Sequence, residues 1–426
     1  MPVGQKIGED FTLRSLHSET DKERFAAFNT ACNNDAEGAT CAVLLNHHPG
    51  MSLDDFWVVE SDSTGEIVST TCLIPWTLRL ANVELRAAQL EMVLTHPDYR
   101  GRGLVRAQMK HFAQVVSDRG YDLSFIWGIP YYYRQYGYTY TIEGDVREEI
   151  CAWSIPPKPQ PAAHGIKLRP ALTSDIPDLV QFYGDMAALL DLHIQRDESY
   201  WRYLIEPAQH PVKMVEDAQT GNLLGYVTLE SGSLAMGGKR TTVVENYLPD
   251  ADAAWSLLCS LCETGVAQVS VQWPAHTSLV RLARAWDSRT VPGFQWLLRV
   301  PNVAALLRKL GPVLEGRLAA SPWRACTRDL IINLFREAFQ LRLVGGKLVD
   351  VVPLGFVDSS MGADGGDLLI PPDAFVRLLT GFRSLDRLRD AWPDIQIKDA
   401  ARPLVDVVFP PMDAYLSAPF HFMGNR

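Results

Sequence analysis

Residues 90–106 of the chain read LEMVLTHPDYRGRGLVR. Leu90, Met92 and Leu94 alternate with more polar or smaller neighbours, which predicts a strand with one face in a core. Glu91 is then expected to point off the opposite face of that strand. After a turn at Pro97, apolar residues recur at the spacing of one helical face. These residues are Val105, Met109, Phe112 and Val116. The stretch therefore predicts a strand, a tight basic loop and a helix start in immediate succession.

The loop at 100–106 favours an anion. The first turn of a helix has free backbone N–H groups and a partial positive charge. Gly101 and Gly103 let the backbone approach a ligand without a Cβ in the way, and Arg100, Arg102 and Arg106 add charge. A diphosphate would fit there, whereas the plain alternative is a basic surface turn. No Gly-Lys-Ser/Thr follows and no Gly-x-Gly-x-x-Gly is present, which excludes a Walker loop and disfavours a dinucleotide fold.

The segment resembles the cofactor loop of the GNAT superfamily of acyl-CoA N-acyltransferases, whose pattern is Arg/Gln-x-x-Gly-x-Gly/Ala. Arg100, Gly103 and Leu104 match this pattern, whereas Val105 stands where the family has Gly or Ala. The resemblance implies that the loop amides bind the CoA pyrophosphate and that backbone near Met92 and Val93 holds the acetyl carbonyl. The candidate residues for acetyl-CoA are Met92, Val93, Leu94, Arg100, Gly101, Arg102, Gly103, Leu104, Val105 and Arg106.

A second segment, residues 123–138, is similar to the superfamily's fifth strand and the helix after it. It reads LSFIWGIPYYYRQYGY. By that resemblance Tyr133 is the general acid that reprotonates the departing CoA thiolate. A phenol has an ordinary pKa of about 10 and a thiol one of about 8.5, so the phenol stays protonated at pH 7 and can donate. Tyr131, Tyr132 and Tyr136 have a plainer interpretation as packing and binding-surface aromatics.

Length and charge set outer bounds on fold and function. A chain of 426 residues has room for two to four domains. The net charge of −10 argues against a nucleic-acid binder and favours a cationic substrate. No apolar run reaches the roughly 18 residues of a membrane span, and the start lacks a signal-peptide core. We therefore expect a cytoplasmic protein with no nucleic-acid partner and no membrane span.

The seven cysteines do not form a disulfide framework, because they are odd in number and scattered. Cys259 and Cys262 have metal-like spacing, but one helical face explains that spacing and no second pair or histidine completes a zinc site. We expect no metal.

A sequence pattern near the start of the chain is repeated after residue 165. Residues 11–14 and 166–169 each predict a short strand, followed by a helix capped at Thr20 or Ser174. A stiff proline-rich linker at 156–161 separates the two copies. In the second copy, predicted strands at 223–229 and 242–247 lead into a loop at 248–252, which has neither glycine nor arginine. The second copy is therefore expected not to hold CoA.

From about Phe294 the pattern changes to strands at 296–300, 330–334 and 340–344 and a helix at 373–379 that ends at Gly381. This plan resembles the enhanced-intracellular-survival (Eis) family of GNAT acetyltransferases. The resemblance implies an α/β (α+β) fold with mixed, mostly antiparallel sheets and a homo-oligomer. It divides the chain into a catalytic GNAT domain at 1–155, a degenerate GNAT domain at 165–293 and a sterol-carrier-like domain at 294–426.

The general base has two candidates. The family uses the terminal carboxylate, which here belongs to Arg426, a residue whose long cationic side chain suits an ammonium substrate poorly. Glu91 is the other candidate, directly or through water, although it reads equally well as a solvated strand residue. Some proton path is needed because freeing the lone pair of a primary amine at pH 7 costs on the order of 4 kcal/mol.

These observations predict an acetyl-CoA-dependent N-acetyltransferase. A primary amine of a small molecule or peptide would attack the thioester directly, with Tyr133 as general acid. Two alternatives are a non-catalytic acyl-CoA sensor and a lipid-binding carrier that acts through the final domain.

Overall fold

The computed structural model describes residues 4–158, 165–235, 237–359 and 364–419. Within these ranges the chain forms three sheets, and most neighbouring strands in them are antiparallel. Arg426 and the linker residues 159–161 lie outside the described residues.

The first sheet contains ten strands. They are β1 (Gln5–Ile7), β2 (Phe11–Ser15), β3 (Phe56–Ser61), β4 (Ile67–Leu80), β5 (Val83–Thr95), β6 (Leu123–Ile126), β7 (Thr139–Glu143), β10 (Leu192–Ile194), β16 (Gln295–Arg299) and β22 (Ala414–Tyr415). The main order is β1-β2-β3-β4-β5-β6-β16-β7, while β10 pairs with β4 and β22. Strands β5 and β6 run parallel.

Helices cover both faces of this sheet. They are α1 (Glu19–Cys32), α2 (Asp35–His47) and α3 (Leu104–Asp118). Phe25 of α1 and Leu44 of α2 are buried in one core, whereas Met109 and Phe112 of α3 are buried in another. The apolar stripe predicted after the basic loop is thus the buried face of α3.

The second sheet has the order β15-β8-β14-β13-β12-β11-β9. Its strands are β8 (Arg147–Cys151), β9 (Ile166–Pro170), β11 (Val212–Asp217), β12 (Leu223–Ser233), β13 (Lys239–Tyr247), β14 (Gln268–Gln272) and β15 (Arg289–Val291). The accompanying helices are α4 (Ile176–Ala187), α5 (Glu198–Ile205), α6 (Ala251–Glu263) and α7 (Ser278–Ala285). Strands β13 and β14 form the parallel pair of this sheet, as β5 and β6 do in the first.

The third sheet has the order β19-β18-β17-β20-β21. Its strands are β17 (Arg328–Asn333), β18 (Ala338–Val344), β19 (Lys347–Gly355), β20 (Leu368–Leu369) and β21 (Gln396–Ile397). The last helices are α8 (Val303–Lys309), α9 (Gly311–Ala319), α10 (Pro372–Leu379), α11 (Leu385–Ala391) and α12 (Arg402–Val408). No helix in the described ranges has the length and apolarity needed to cross a membrane.

The two copies of the repeated pattern also share a set of tertiary contacts. An arginine on the first long strand of each copy bridges an aspartate near the start of the next helix and a glutamate on the neighbouring strand. The two sets are Arg14 with Asp21 and Glu60, and Arg169 with Asp175 and Glu216. The predicted helix caps are wrong, because Ser18 caps α1 in place of Thr20 and Asp175 precedes α4 in place of Ser174.

Four strands lie in a sheet other than the one expected from their predicted domain. β8 lies in the second sheet although the predicted first domain contains it, whereas β10, β16 and β22 lie in the first sheet although the predicted second or third domain contains them. Each pairs with strands far away in sequence, so none of these positions follows from local pattern. The proposed ranges 1–155, 165–293 and 294–426 therefore do not coincide with the three sheets.

Candidate active site

Strand β5 changes direction at Met92. The register against β4 shifts between Thr70, which faces Leu94, and Cys72, which faces Glu91. Met92 adopts a φ of 54°, in the left-handed region. A β-bulge of this kind inserts an unpaired residue and bends the strand.

The bulge overturns the predicted alternation. Leu90 is buried in the core that contains α3, whereas Met92 is buried in the core that contains α1 and α2. Its Sδ lies 3.4 Å from Cys41 Sγ of α2. The strand was predicted correctly, but the expectation that Leu90 and Met92 share one face is wrong, because the extra residue reverses the side on which Met92 falls.

The bulge lies beyond the end of the β5–β6 ladder. That ladder runs from Ala87 opposite Leu123 to Gln89 opposite Phe125, while β5 continues to Thr95. The part of β5 after Gln89 thus extends past the last residue pair that β5 forms with β6. This part contains Met92, Val93 and Leu94, the residues expected to face the acetyl group.

The basic loop joins β5 to α3. Gly101 and Gly103 have φ values of 76° and 78°, a conformation that disfavours residues with a Cβ. Gly103 is the N-cap of α3 and brings no capping side chain. A Cβ added at either glycine would meet no described heavy atom within 4 Å. The first turn of α3 therefore opens onto space with its backbone donors uncapped by a side chain.

The arginines of the loop are exposed around this turn. Arg102 donates to the carbonyl of Asp98 at 3.2 Å and lies over the ring of Tyr99. Arg106 is close enough to Tyr136 to oppose, by its charge, the burial that raises the pKa of that phenol to about 12.

The two residues after Gly103 face the core. Leu104 is buried and Val105 packs against the same core as α3. The departure from the family pattern at Val105 therefore adds a side chain that packs on the protein interior.

The corresponding helix start in the second copy has the opposite electrostatics. Asp250 caps α6 and its Oδ1 accepts a hydrogen bond from the amide of Ala253 at 2.7 Å, and Asp252 follows in the first turn. A carboxylate thus occupies the position where an anionic ligand would bind. This geometry supports the prediction that the second copy holds no CoA.

Tyr133 is buried on a short 3₁₀ helix at Tyr132–Tyr136. Its ring packs edge to face against Tyr132 and Tyr138, with centroid separations of 5.1 and 6.3 Å. Burial, and then the negative charge of Glu91, raise the pKa of the Tyr133 phenol well above its ordinary value. The phenol is therefore protonated at neutral pH and sits within electrostatic reach of Glu91.

Glu91 is half-buried and held by a chain of hydrogen bonds. Its Oε1 accepts from Gln89 Nε2 at 2.8 Å, and Gln89 Oε1 accepts from Trp76 Nε1 at 2.6 Å. Glu91 also lines a large cavity. These contacts distinguish Glu91 from a fully solvated strand residue, and its role as the base stays a prediction.

The cavity has a volume of about 790 Å³ and three sources of lining. The first sheet and its loops contribute Glu91, Trp127 and Asp145. The second sheet contributes Glu230, Arg240 and Glu245, and the described end of the chain contributes residues 415–419. A cavity of this size would enclose a small organic molecule.

Carboxylates outnumber basic side chains in the lining. They are Glu91, Asp145, Glu230 and Glu245, against Lys239 and Arg240. With the charge of Glu245 offset by Arg196, Glu91, Asp145 and Glu230 stand against Lys239 and Arg240, which leaves a small excess of negative charge. Burial raises the pKa of Glu230 and so weakens that excess.

Sequence reasoning missed most of this cavity. Asp145, Glu230 and the tail at 415–419 come together only through contacts between the sheets. Trp127 and Trp296 form an aromatic wall with ring centroids 4.9 Å apart. The candidate base at Arg426 falls outside the described residues, so the structure does not place it.

Comparisons with known proteins agree with this geometry. Residues 13–141 match the family model of the acetyltransferase (GNAT) domain. No curated protein matches the chain. Among solved structures, the chain is similar to a GCN5-related N-acetyltransferase from Anabaena variabilis, with 17% identity, a TM-score of 0.70 and coverage of 97% of this chain and 100% of the other.

Two further structures have the same fold. A probable N-acyltransferase from Enterococcus faecalis shares 14% identity at a TM-score of 0.68, with coverage of 97% and 99% of the two chains. Eis1 from Mycobacterium abscessus shares 17% identity at a TM-score of 0.62, with coverage of 98% and 100%. At these identities the likeness establishes the fold, which extends over nearly the whole chain.

Residues 13–141 thus match a GNAT acetyltransferase domain, and the chain as a whole has the fold seen in Eis1. The predicted resemblance to GNAT acetyltransferases and the predicted α/β fold with mostly antiparallel sheets are confirmed. The sterol-carrier-like character of the last domain stays a prediction.

Proposed function

We propose that the protein transfers an acetyl group from acetyl-CoA to a primary amine of a cationic molecule. The observation that carries this proposal is the position of Glu91. Its carboxylate lines the acidic cavity, and its charge acts on the buried phenol of Tyr133. An amine in the cavity and a thioester beside the bulge would therefore meet at one strand.

The loop and the bulge fit acetyl-CoA. The open first turn of α3, together with Arg100, Arg102 and Arg106, suits a pyrophosphate. The backbone at Met92, Val93 and Leu94 lies past the last β5–β6 residue pair, and amides there would polarise the thioester carbonyl. An aligned donor of this kind stabilises the negative charge that develops on the oxygen in the transition state.

Glu91 and Tyr133 would move the two protons of the reaction. The amine nitrogen forms a bond to the carbonyl carbon, the carbon–sulfur bond breaks, and the thiolate takes the phenolic proton of Tyr133. Glu91 accepts the proton that the amine loses. Because the charge of Glu91 raises the pKa of Tyr133, protonation of Glu91 makes the phenol a better acid as the thiolate leaves.

The predictions about assembly, location, substrate type and domain organisation are also proposals. We infer a homo-oligomer that acts in the cytoplasm on a small-molecule or peptide amine, with a catalytic domain at 1–155, a degenerate one at 165–293 and a sterol-carrier-like one at 294–426. The terminal carboxylate of Arg426 is the alternative base.

Thiol release from acetyl-CoA tests the proposal. The purified protein would be mixed with acetyl-CoA and an aminoglycoside, a polyamine, a lysine peptide or a peptide with only its N-terminal amine. At least one amine should raise thiol release far above the rate with acetyl-CoA alone. Tyr133→Phe should lower turnover by about 10² or more and leave acetyl-CoA affinity nearly unchanged. Tight acetyl-CoA binding without thiol release for every amine would favour a sensor.

A further inference from the structure

A buried ion pair joins the second sheet to the end of the described chain. Arg196, between β10 and α5, donates through Nη1 and Nη2 to the two carboxylate oxygens of Glu245 on β13, at 2.8 and 2.7 Å. The side chains are 1% and 5% exposed. Burial alone would raise the pKa of Glu245, but the charge and hydrogen bonds of Arg196 lower it, so both groups are charged.

The same pair holds the tail. Arg196 Nη2 also donates to the carbonyl oxygen of Ser417 at 3.1 Å and to its Oγ at 2.7 Å. Ser417 Oγ in turn donates to Glu245 Oε2, and the Tyr226 hydroxyl donates to Glu245 Oε1 at 3.0 Å. Four side chains from four separate segments thus form one connected polar cluster.

Neighbouring contacts extend this attachment along the tail. Trp296 Nε1 donates to the carbonyl of Leu416 at 3.1 Å, and the Tyr200 hydroxyl donates to that of Pro419 at 2.6 Å. Strand β22 pairs in parallel with β10. The contacts near Ser417 and Pro419 come from long side chains rather than from a regular sheet ladder, so the position of the tail there depends on those side chains.

Stability alone does not account for a charged cluster at this depth. Desolvation of two charges offsets much of their attraction, and apolar replacements of a buried pair are often as stable. A bidentate arginine makes directional contacts, because its planar donors hold the partner groups in one geometry. Here the partners that it fixes are the wall residues Glu245 and Ser417 of the acidic cavity.

We propose that Arg196 is a positioning residue for the amine site, because it locks the tail at 413–419 against Glu245 and thereby sets the shape of the cavity. This inference rests on the proposed function, in which the cavity binds the amine. Arg196 acts through the tail and touches no reacting atom.

The test combines kinetics with hydrogen exchange on the full-length protein. Arg196→Lys keeps the charge but replaces two parallel donors by one ammonium, and Ser417→Ala removes only the hydroxyl. Arg169→Lys is the matched control, since Arg169 also contacts two carboxylates in the same copy, but its partners Asp175 and Glu216 do not line the cavity. The substrates are acetyl-CoA and the panel amine that the wild-type enzyme acetylates fastest.

In Arg196→Lys, the KM for the amine should rise about tenfold while that for acetyl-CoA changes less than about twofold. Peptides covering 413–419 should exchange their amide hydrogens faster than in wild type. Ser417→Ala should give a smaller change of both kinds, and Arg169→Lys neither.

Faster exchange with an unchanged amine KM would overturn the proposal, as would exchange no faster than in Arg169→Lys. Absence of acetylation by the wild-type enzyme would refute the proposed function instead, and the exchange comparison would still decide whether Arg196 fixes the tail.

Discussion

Gly128→Ala should disable the proposed acid while leaving its hydroxyl in place. Gly128 follows β6, and the ring of Tyr133 lies against it. An added Cβ would stand 2.5 Å from Tyr133 Cε2 and closer still to Cδ2. Because carbon atoms in contact lie about 3.5 Å apart, the ring must withdraw by about 1 Å.

The size of the effect follows from that displacement. Misplacing a reacting group by about 1 Å can cost about 10² in rate. We therefore expect kcat to fall about 10²-fold in Gly128→Ala, with acetyl-CoA affinity nearly unchanged because the loop at 100–106 is untouched. Overpacking should also lower the free energy of unfolding by about 1–3 kcal/mol.

Thiol-release kinetics, calorimetric acetyl-CoA binding and urea unfolding would measure the three quantities. Gly184→Ala is the matched control, since Gly184 is exposed in α4 and its Cβ would meet no described heavy atom within 4 Å. That variant should keep its kcat and gain about 0.5–1 kcal/mol of stability.

A double variant isolates the cause. If Gly128→Ala acts by moving the phenol, adding it to Tyr133→Phe should lower kcat little further, because the hydroxyl is already gone. Independent, multiplying losses in the double variant would refute the reasoning, and so would normal turnover in a well-folded Gly128→Ala protein.

Three further outcomes follow from the site and the fold. Glu91→Gln should lower kcat/KM for the amine at least about tenfold at pH 7; an unchanged value would move the base to another group. Gly103→Ala strains a φ of 78° at the start of α3, so it should weaken acetyl-CoA binding about tenfold, as measured by calorimetry. Gly65→Ala is the control: it strains a remote turn at a φ of 69° and should lower only the melting temperature. The hydrogen bonds from Arg169 lower the pKa of Asp175 below its ordinary 3.8, so this group stabilises the fold above about pH 4 and the contribution is lost as the pH falls through the folded-state pKa. Asp175→Asn should therefore be less stable at pH 7 and lose less stability on acidification, measured by urea unfolding; an acid profile equal to that of wild type would contradict this.

The conformation of the loop at 100–106 and the helix after it could be predicted because their signals are local. Gly101 and Gly103 mark positive φ values, and the apolar stripe of α3 has one period throughout. The bulge at Met92 has no such signal, since Leu90, Met92 and Leu94 form a regular alternation that contains no glycine or proline. Only the pairing with Thr70 and Cys72, 20 or more residues earlier, shows where the extra residue falls.

The amine cavity could not be predicted for a related reason. Asp145, Glu230 and Ser417 lie in segments whose local pattern is that of ordinary strands and loops, and they share a cavity only because the two sheets and the tail pack together. Whether a polar residue at such a position lines a cavity depends on residues that are distant in sequence. The net charge predicts a cationic ligand, and that remains a prediction, but it identifies no residue that would bind such a ligand.

The second copy contributes side chains to the cavity although its helix start is unsuited to a phosphate. Asp250 and Asp252 place negative charge at the start of α6, where a CoA-binding copy would hold a phosphate. The copy nevertheless supplies Glu230 and Glu245 to the cavity beside Glu91. Losing the phosphate loop removes one ligand site but leaves the sheet that carries these carboxylates. Under the proposed function, the second sheet and the tail would complete the substrate side of the site, while the loop at 100–106 and Tyr133 would form its cofactor side.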